Sequence, residues 1–334
     1  MVKVAINGFG RIGRQAFKAM LKDKKIEVAA VNDLTDNATL ARLLQYDSVY
    51  GKFQGTVSSD SENLIVDGKK IKVLAERDPT KLPWKKLGID IVLESTGIFR
   101  DKQQAEMHLD AGAKKVVISA PPKGTGCNQY ILNINSDKYN AKSENVVSMA
   151  SCTTNCLAPM VKVLQEGIGI GQGFMTTIHA YTSDQVLVDG PHKDARRARS
   201  AAINMIPTST GAAKAITKIF TELEGRLDGI AVRVPVPTGS LTDLTCVMQR
   251  ETTVEEVNGL FRRAASKDLK RNLLYSEHDI VSTDIIGGEQ GCIFDSKLTS
   301  ANGKLVKVLG WYDNEAGYSS LLSDFIVFLA KKGL

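Results

Sequence analysis

Two residues of the sequence could form a nucleophile and its base, namely Cys152 and His179. Cys152 follows the β-like run 146–149 and precedes an apolar pattern with helical spacing at 157–164. A cysteine at the start of a helix faces unpaired backbone amides and the positive end of the helix dipole, and both stabilise a thiolate. His179 ends a second β-like run, where an imidazole could take the thiol proton. This pattern predicts catalysis by a nucleophilic thiol.

Other interpretations of these residues stay open. Cys152 could be an inert buried thiol, or it could form a C-x-x-x-C metal pair with Cys156, although no other cysteine or histidine lies nearby in sequence. Cys156 lies one helical turn further on and is predicted to pack in the core. A single histidine at a strand end is more often structural than catalytic. The other three histidines lie among polar residues and are predicted at the surface: His108, His192 and His278.

Two further features could bind anions such as phosphate. The segment 209–213, Ser-Thr-Gly-Ala-Ala, begins a helix with hydroxyls and free amides, although purely structural helix caps have the same composition. Arg233 lies inside the apolar run 231–235, so its charge must be paired or must bind something. A phosphate clamp and a structural ion pair explain this arginine equally well.

The N-terminus carries the pattern of a dinucleotide site. Gly8-Phe9-Gly10-Arg11-Ile12-Gly13 follows a β-like run and begins a helical segment, and Asp33 ends the next β-like run. Gly8 permits the tight turn, Gly10 lets the backbone approach a pyrophosphate, and Gly13 lets the helix pack closely on the strand. Asp33 is predicted to accept the adenosine ribose hydroxyls. NAD is favoured over NADP, because this carboxylate repels a 2′-phosphate and the next residue is uncharged.

Alternating β-like and helical runs up to residue 150 predict an α/β fold, a Rossmann domain with a doubly wound parallel sheet. The predicted strands are 2–7, 26–32, 89–95, 115–119 and 146–149. Ligands in such sheets lie beyond the carboxyl ends of the strands. Thr96-Gly97 and Ser119-Ala120 follow two of these ends and could adjoin the cofactor, or could be ordinary turns.

The pattern changes after residue 150. Longer alternating runs at 173–180, 230–236, 241–250 and 304–311, with helices at 211–223 and 254–265, predict an α+β catalytic domain with a mixed or antiparallel sheet. Thr253 and Glu256 predict a capping box for the second helix. The C-terminal segment 316–334 is predicted as a helix that packs on the first domain. We therefore expect an NAD-binding domain over 1–150 completed by 316–334, and a catalytic domain over 151–315.

Composition narrows the class of protein. The chain has 334 residues, 43% hydrophobic residues and a formal charge of +6, which is too small for a dedicated nucleic-acid binder and suits small anionic substrates. Five cysteines without paired spacing favour a reducing compartment over a disulfide framework. No apolar run predicts a membrane helix and no leader is evident, so we expect a cytoplasmic location.

A cofactor site, a thiol, a base and two anion sites together fit the oxidation of a phosphorylated aldehyde through a thioester. The sequence resembles phosphorylating glyceraldehyde-3-phosphate dehydrogenases over its full length. The resemblance depends on six motifs: 7–14 (Asn-Gly-Phe-Gly-Arg-Ile-Gly-Arg), 150–159 (Ala-Ser-Cys-Thr-Thr-Asn-Cys-Leu-Ala-Pro), 179–182 (His-Ala-Tyr-Thr), 210–214 (Thr-Gly-Ala-Ala-Lys), 233–235 (Arg-Val-Pro) and 311–315 (Trp-Tyr-Asp-Asn-Glu).

The resemblance implies a role for each matching residue. Cys152 would be the acylated nucleophile and His179 its base. The substrate phosphate would be held by Thr182, Arg197 and Arg233. The attacking inorganic phosphate would be held by Ser151, Thr153, Thr210 and Gly211 beside Cys152. NAD would be contacted by Gly8, Gly10, Arg11, Ile12, Gly13, Asp33, Arg77, Thr96, Gly97, Ser119, Asn314 and Tyr318, with Asn314 at the nicotinamide amide and Tyr318 near its ring. No metal is expected.

The resemblance also implies a cytosolic, glycolytic homotetramer in which the loop 181–204 reaches the cofactor of a neighbouring subunit. Lys193, Arg196, Arg197 and Arg199 would then form a basic interface cluster rather than a solvated loop. Three alternatives remain: an erythrose-4-phosphate dehydrogenase on the same scaffold, a cysteine hydrolase or acyltransferase, and a non-enzymatic NAD- or RNA-binding protein. RNA binding could also be a side activity of the cofactor cleft.

Overall fold

The computed structural model describes residues 1–334, which divide into two compact units. The first unit comprises Met1–Tyr130, Lys138–Ala150 and Ser319–Leu334, and the second comprises Ile131–Asp137 and Ser151–Tyr318. The strands are β1 Val2–Asn7, β2 Ile26–Asn32, β3 Tyr46–Asp47, β4 Gly51–Lys52, β5 Val57–Ser59, β6 Asn63–Val66, β7 Lys69–Leu74, β8 Ile91–Glu94, β9 Lys115–Ile118, β10 Asn128–Gln129, β11 Val146–Ser148, β12 Ile170–Ala180, β13 Ile206–Ser209, β14 Leu227–Val234, β15 Ser240–Met248, β16 Leu273–Ser276, β17 Cys292–Asp295, β18 Ser300–Asn302 and β19 Leu305–Tyr312.

Eight α-helices accompany these strands. They are α1 Arg11–Leu21, α2 Asn37–Gln45, α3 Trp84–Leu87, α4 Lys102–Asp110, α5 Cys152–Gly167, α6 Ala212–Ile219, α7 Val254–Ser266 and α8 Ala316–Lys331. Short 3₁₀ helices lie at Pro79–Lys81, Ser136–Lys138, Thr221–Leu223 and Ser296–Leu298. None of the helices combines the length and apolar character needed to cross a bilayer.

The sheet of the first unit has nine strands in the order β10-β11-β9-β8-β1-β2-β7-β6-β5. Pairing is parallel from β10 to β7 and antiparallel from β7 to β5. The strand order runs outwards in both directions from β1, so a topological switch point lies between β1 and β8, where ligands bind in folds of this type. The predicted doubly wound α/β fold is confirmed, and β1 and β2 have the predicted bounds.

The sheet of the second unit has eight strands in the order β13-β14-β12-β15-β19-β17-β16, with β18 paired to β19. It is mixed, as predicted, because β12–β14 and β16–β17 are parallel and the other pairs are antiparallel. Helix α5 is central to its core, where Leu157, Met160 and Leu164 are at most 1% exposed. On α7, Phe261 stacks on Phe294 of β17 with ring centroids 3.8 Å apart.

Two predictions about helices in this unit need correction. The predicted helix 211–223 ends at Ile219, because Phe220 leaves the helical conformation before a separate 3₁₀ turn. The predicted capping box is half formed. Thr253 accepts a hydrogen bond from the Glu256 amide, but the Glu256 carboxylate accepts from Arg250 and from the Thr252 hydroxyl. The charged guanidinium of Arg250 binds this carboxylate more strongly than the backbone amide of Thr253 would, so the second hydrogen bond of the capping box is replaced.

Candidate active site

Cys152 is the first residue of α5, as the sequence predicts. The preceding Ser151 caps the helix by accepting a hydrogen bond from the Thr154 amide at 3.1 Å. This leaves Cys152 partly exposed in the first turn, where backbone amides are unpaired. Cys156, one turn further on, is fully buried and donates to the Gly310 carbonyl at 3.4 Å, so its predicted place in the core is confirmed.

The thiol of Cys152 lies beside the imidazole of His179. The Sγ–Nε2 distance is 3.6 Å, and His179, at the end of β12, is 4% exposed. The other ring nitrogen, Nδ1, lies 2.7 Å from the Ala180 carbonyl. The fold therefore places the two candidate catalytic side chains within reach of proton transfer, although they are 27 residues apart in sequence.

Arg233 also contacts this imidazole. It lies on β14 directly opposite His179 in the parallel register, and its Nη1 is 2.5 Å from His179 Nδ1 and 3.0 Å from the Ala180 carbonyl. Its guanidinium thus contacts an imidazole and a carbonyl rather than a carboxylate. This geometry does not match the structural ion pair that the sequence left open, and it keeps the positive charge directed at the Cys152 region.

Burial and charge shift the protonation of this pair. Burial raises the pKa of the Cys152 thiol to about 11, and the positive charge of Arg233 partly opposes that rise. Burial, followed by the charge of Arg233, lowers the pKa of His179 to about 3. The Cys152 thiolate and the His179 imidazolium are therefore each unfavourable in free energy when formed alone. Transfer of the proton within the pair creates opposite charges close together, whose attraction offsets part of this cost.

A network of three hydroxyls lies next to the pair, and the sequence reasoning missed its centre. The Tyr312 hydroxyl lies 2.9 Å from Thr153 Oγ1 and 2.7 Å from Thr177 Oγ1. The Tyr312 ring is 1% exposed and meets the His179 ring edge-to-face with centroids 5.9 Å apart. The alternating pattern of β19 placed Tyr312 on a buried face, which is a signal for burial but not for these partners.

Arg197, another candidate phosphate ligand, is held by three neighbouring residues. Its side chain donates to the Thr208 hydroxyl at 2.9 Å and to the Ser209 carbonyl at 3.1 Å, and it pairs with Asp184. Its charge also contributes to the low pKa of His179, as the charge of Arg233 does. The structure thus assembles two arginines near the thiol–imidazole pair.

Three more predicted ligands have polar groups close to the surface of this unit. The Thr210 hydroxyl accepts from the Ala212 amide at 3.2 Å, and Gly211 is the exposed N-cap of α6 without a side-chain cap. The amide of Thr182, which is partly exposed, donates to the Gln185 side chain at 3.2 Å.

Asn314, the candidate nicotinamide ligand, is held firmly. Its Oδ1 accepts from the Gly239 amide at 3.2 Å and from the hydroxyl of Ser240 at 3.0 Å, with the Thr238 hydroxyl at 3.4 Å. Three donors on the oxygen leave the Nδ2 group as the donor that a ligand carbonyl could use. Tyr318 is 3% exposed, and burial raises the pKa of its hydroxyl.

The glycine motif of the first unit has the geometry that a dinucleotide requires. Gly8 has φ +91°, and a Cβ there would lie 2.6 Å from the Thr96 amide nitrogen. A Cβ on Gly13 would lie 2.1 Å from the Gly8 carbonyl oxygen, so only glycine lets α1 approach the loop this closely. A Cβ on Gly10 would meet nothing within 4 Å, and no side chain caps α1. The loop therefore offers an open cradle at a helix N-terminus, which fits the pyrophosphate of NAD.

Asp33 lies at the mouth of this loop, where its carboxylate accepts from the Phe9 amide at 2.8 Å and from the Thr35 amide at 3.0 Å. Arg11 pairs with Asp47 at 2.8 Å, and Ile12 is partly exposed. Thr96 and Gly97 follow β8 at the switch point, with Gly97 at φ +74°. Ser119 donates to the Glu94 carbonyl at 3.0 Å, and Arg77 is exposed.

The prediction that His108 lies on the surface is wrong. Its side chain is fully buried between the indole of Trp84, whose Nε1 lies 3.1 Å from Nδ1, and the carboxylate of Glu94, which lies 3.1 Å from Nε2. The polar neighbours in sequence lie on the outer face of α4, whereas His108 lies on the inner one. Periodicity, rather than local composition, carried the correct signal. His192 is partly exposed and His278 is exposed.

Comparison with known proteins agrees with this arrangement. Residues 2–102 match the NAD binding domain of glyceraldehyde 3-phosphate dehydrogenase, and residues 151–314 match its C-terminal domain. The chain is 56% identical to glyceraldehyde-3-phosphate dehydrogenase of Streptomyces coelicolor, over 99% of each chain. It is 54% identical to glyceraldehyde-3-phosphate dehydrogenase 1 of Bacillus subtilis and to the enzyme of Geobacillus stearothermophilus, in both cases over 100% of this chain and 99% of the relative. The chain belongs to the glyceraldehyde-3-phosphate dehydrogenase family and is an NAD-dependent oxidoreductase that acts on an aldehyde.

Proposed function

We propose that this protein catalyses the oxidative phosphorylation of D-glyceraldehyde 3-phosphate with NAD and inorganic phosphate, giving 1,3-bisphosphoglycerate and NADH in glycolysis and gluconeogenesis. The observation that carries the proposal is the position of the Cys152 thiol, which begins α5 and lies 3.6 Å from His179 Nε2. Relatives named for this reaction align over the whole chain.

The thiol is the nucleophile in this proposal. His179 Nε2 takes the proton from Cys152 as Sγ bonds to the aldehyde carbon and passes it to the carbonyl oxygen, which gives a thiohemiacetal. NAD, when bound, would supply the hydride acceptor, and His179 would take up the hydroxyl proton as the adduct becomes a thioester. Inorganic phosphate then attacks the thioester carbonyl, the acyl phosphate leaves, and the thiolate is regenerated to take up a proton again.

The second unit supplies the anion ligands. Arg233 and Arg197 carry the positive charges near His179, and with Thr182 they would hold the substrate phosphate. The attacking phosphate would be bound by the residues at the starts of two helices: Ser151, Cys152 and Thr153 of α5, and Thr210 and Gly211 of α6. Helix N-termini and arginines together favour a dianion.

We also propose that the first unit is the NAD-binding domain and the second the catalytic domain. Gly8, Gly10 and Gly13 would hold the pyrophosphate, and Asp33 the adenosine ribose, since its carboxylate already accepts amides at the mouth of the loop. The other cofactor contacts would come from Arg11, Ile12, Arg77, Thr96, Gly97, Ser119, Asn314 and Tyr318.

A cytoplasmic homotetramer completes the proposal. Support comes from the loop 181–204 and the residue after it, where four large apolar side chains are 71–80% exposed: Leu187, Val188, Ile203 and Met205. Such a surface is unfavourable in water and is expected to be covered by another subunit. Sedimentation equilibrium checks this, because a monomer at micromolar concentration would contradict it.

The test of function is NADH formation with glyceraldehyde 3-phosphate and NAD, with and without inorganic phosphate, and with erythrose 4-phosphate in parallel. Rapid turnover of the triose that depends on phosphate supports the proposal and the thioester route. Activity with the tetrose alone would replace the proposed substrate. If folded, pure protein forms no NADH with either substrate, the proposal is refuted.

A further inference from the structure

A row of buried polar side chains crosses the carboxyl ends of three parallel strands in the first unit. Glu94, Asn7 and Asn32 occupy paired positions on β8, β1 and β2, and they are 2%, 1% and 5% exposed. Asn7 Nδ2 donates to Glu94 Oε2 at 2.6 Å, and Asn32 Nδ2 donates to Asn7 Oδ1 at 2.7 Å. Buried polar groups require partners, and the proposed reaction uses none of these side chains.

From Glu94 the row continues to His108 of α4 and then to Trp84 of α3. His108 Nε2 lies 3.1 Å from Glu94 Oε2, and its Nδ1 accepts from Trp84 Nε1 at 3.1 Å. Both aromatic side chains are fully buried. An indole nitrogen can only donate, so the imidazole proton of a neutral His108 lies on Nε2 and faces the carboxylate. Trp84 therefore determines the tautomer that holds Glu94.

Each end of the row reaches a segment that carries a candidate cofactor ligand. Glu94 Oε1 accepts from the Thr96 amide at 2.8 Å and also from the Thr96 hydroxyl. Asn32 Oδ1 accepts from the Glu76 amide at 2.9 Å, and its Nδ2 donates to the Glu76 carbonyl at 2.9 Å. Glu76 immediately precedes Arg77. The row thus ties the loop after β8 to the loop after β7 through side chains buried in the sheet.

We propose that Trp84 and His108 are positioning residues for the dinucleotide site. They keep the Glu94 carboxylate in a single orientation, and that carboxylate fixes the backbone of Thr96, which lies against the glycine loop. This inference rests on the proposed function, because it assumes that the first unit binds NAD. Neither residue belongs to the glycine loop, and both act through Glu94.

The test measures the dissociation constant for NAD by titration calorimetry, which needs no substrate. Trp84→Phe keeps a buried aromatic ring and removes the indole donor, and His108→Leu removes both ring nitrogens. Each should weaken NAD binding by about tenfold, because each breaks at least one hydrogen bond of the buried row that holds the Glu94 carboxylate. His108→Gln should bind NAD like the wild type, because its amide can donate to Glu94 and accept from the indole. Trp311→Phe is the matched control, since it loses an indole bond to Asp295 in the second unit.

The outcomes separate this inference from the proposed function. Wild-type protein that does not bind NAD would refute the proposed function. Wild-type protein that binds NAD while Trp84→Phe and His108→Leu bind equally well would refute the positioning role alone. A lower melting temperature with an unchanged dissociation constant would mark the row as merely structural and would also overturn the proposal. If His108→Leu does not fold, Trp84→Phe and His108→Gln still decide the question.

Discussion

Replacement of His179 by asparagine should change how the reactivity of the Cys152 thiol depends on pH. In the wild type the thiolate forms by transfer of its proton to Nε2 within the pair, so no proton is released to solvent. The alkylation rate should therefore vary little between about pH 4 and pH 6, where the pair keeps one shared proton and loss of the thiol proton to solvent is rarer than transfer within the pair. In His179→Asn the thiolate forms only by loss of a proton to solvent, and the rate should rise about tenfold per pH unit.

The size of the effect follows from the distance between the two side chains. Opposite charges 3.6 Å apart attract by about 5 kcal/mol at an effective dielectric constant near 20, which corresponds to roughly a thousandfold in the ionisation equilibrium. Burial holds the pKa of the lone thiol at about 11. The pKa of His179 is lowered to about 3, so this attraction offsets less than half of the gap between about 11 for the thiol and about 3 for the imidazole. At pH 5 the variant should thus be alkylated roughly ten times more slowly than the wild type, and the two rates should converge above about pH 6.

The assay follows alkylation of Cys152 by iodoacetamide, with peptide mass spectrometry to confirm the site. His278→Asn is a matched control, because it makes the same exchange at an exposed histidine. A flat pH profile in His179→Asn, with a rate equal to that of the wild type, would refute the proton-transfer role. A sloped profile in the control would show that the effect does not come from the pair.

Four other substitutions have expected outcomes. Cys152→Ser should abolish NADH formation and leave the NAD dissociation constant unchanged, so retained turnover would refute the thioester route. Gly10→Ala should keep the wild-type melting temperature but weaken NAD binding in calorimetry, whereas Gly13→Ala should lower the melting temperature, because its Cβ would lie 2.1 Å from the Gly8 carbonyl oxygen. Tyr312→Phe leaves two threonine hydroxyls without this partner and should lower the free energy of unfolding by about 1–3 kcal/mol in urea titrations; an unchanged value would contradict the network.

The main strands and helices of both units could be predicted from the sequence, because the hydrophobic periodicity of each element agrees with the turn residues that bound it. The strands β1 and β2 are apolar runs that end at polar residues. Gly8 forms the tight turn after β1, Gly10 leaves the loop open, and Gly13 lets α1 pack closely against the loop, as predicted. The peripheral strands β5 to β7 were not predicted. They are short, and antiparallel pairing at a sheet edge needs no long apolar run.

The side-chain networks could not be predicted, because they join residues that only the fold brings together. Tyr312 and Thr153 form a hydrogen bond although they are 159 residues apart in sequence, and Glu94 and Asn7 do so although they are 87 residues apart. His108 was misplaced for a related reason: its sequence neighbours are polar, but the helix directs it inwards. Sequence patterns report burial through periodicity, whereas they contain no direct record of the partner that a buried polar group has found.

The position of Cys152 shows why His179 contributes more to the ionisation of this thiol than the N-terminus of α5 does. A helix N-terminus stabilises a nearby negative charge by at most about 2 kcal/mol. Burial raises the pKa of this thiol from 9.0 to about 11, which opposes ionisation by about 3 kcal/mol. The helix end that the sequence predicts therefore cannot activate the thiol by itself. The attraction of an imidazolium 3.6 Å away, about 5 kcal/mol, exceeds the cost of burying the thiolate, and it also offsets part of the cost of the imidazolium, whose pKa is lowered to about 3. The Ala180 carbonyl, 2.7 Å from Nδ1, accepts the proton of that nitrogen and leaves Nε2 free to face the thiol, so activation depends on the end of β12 as much as on the helix.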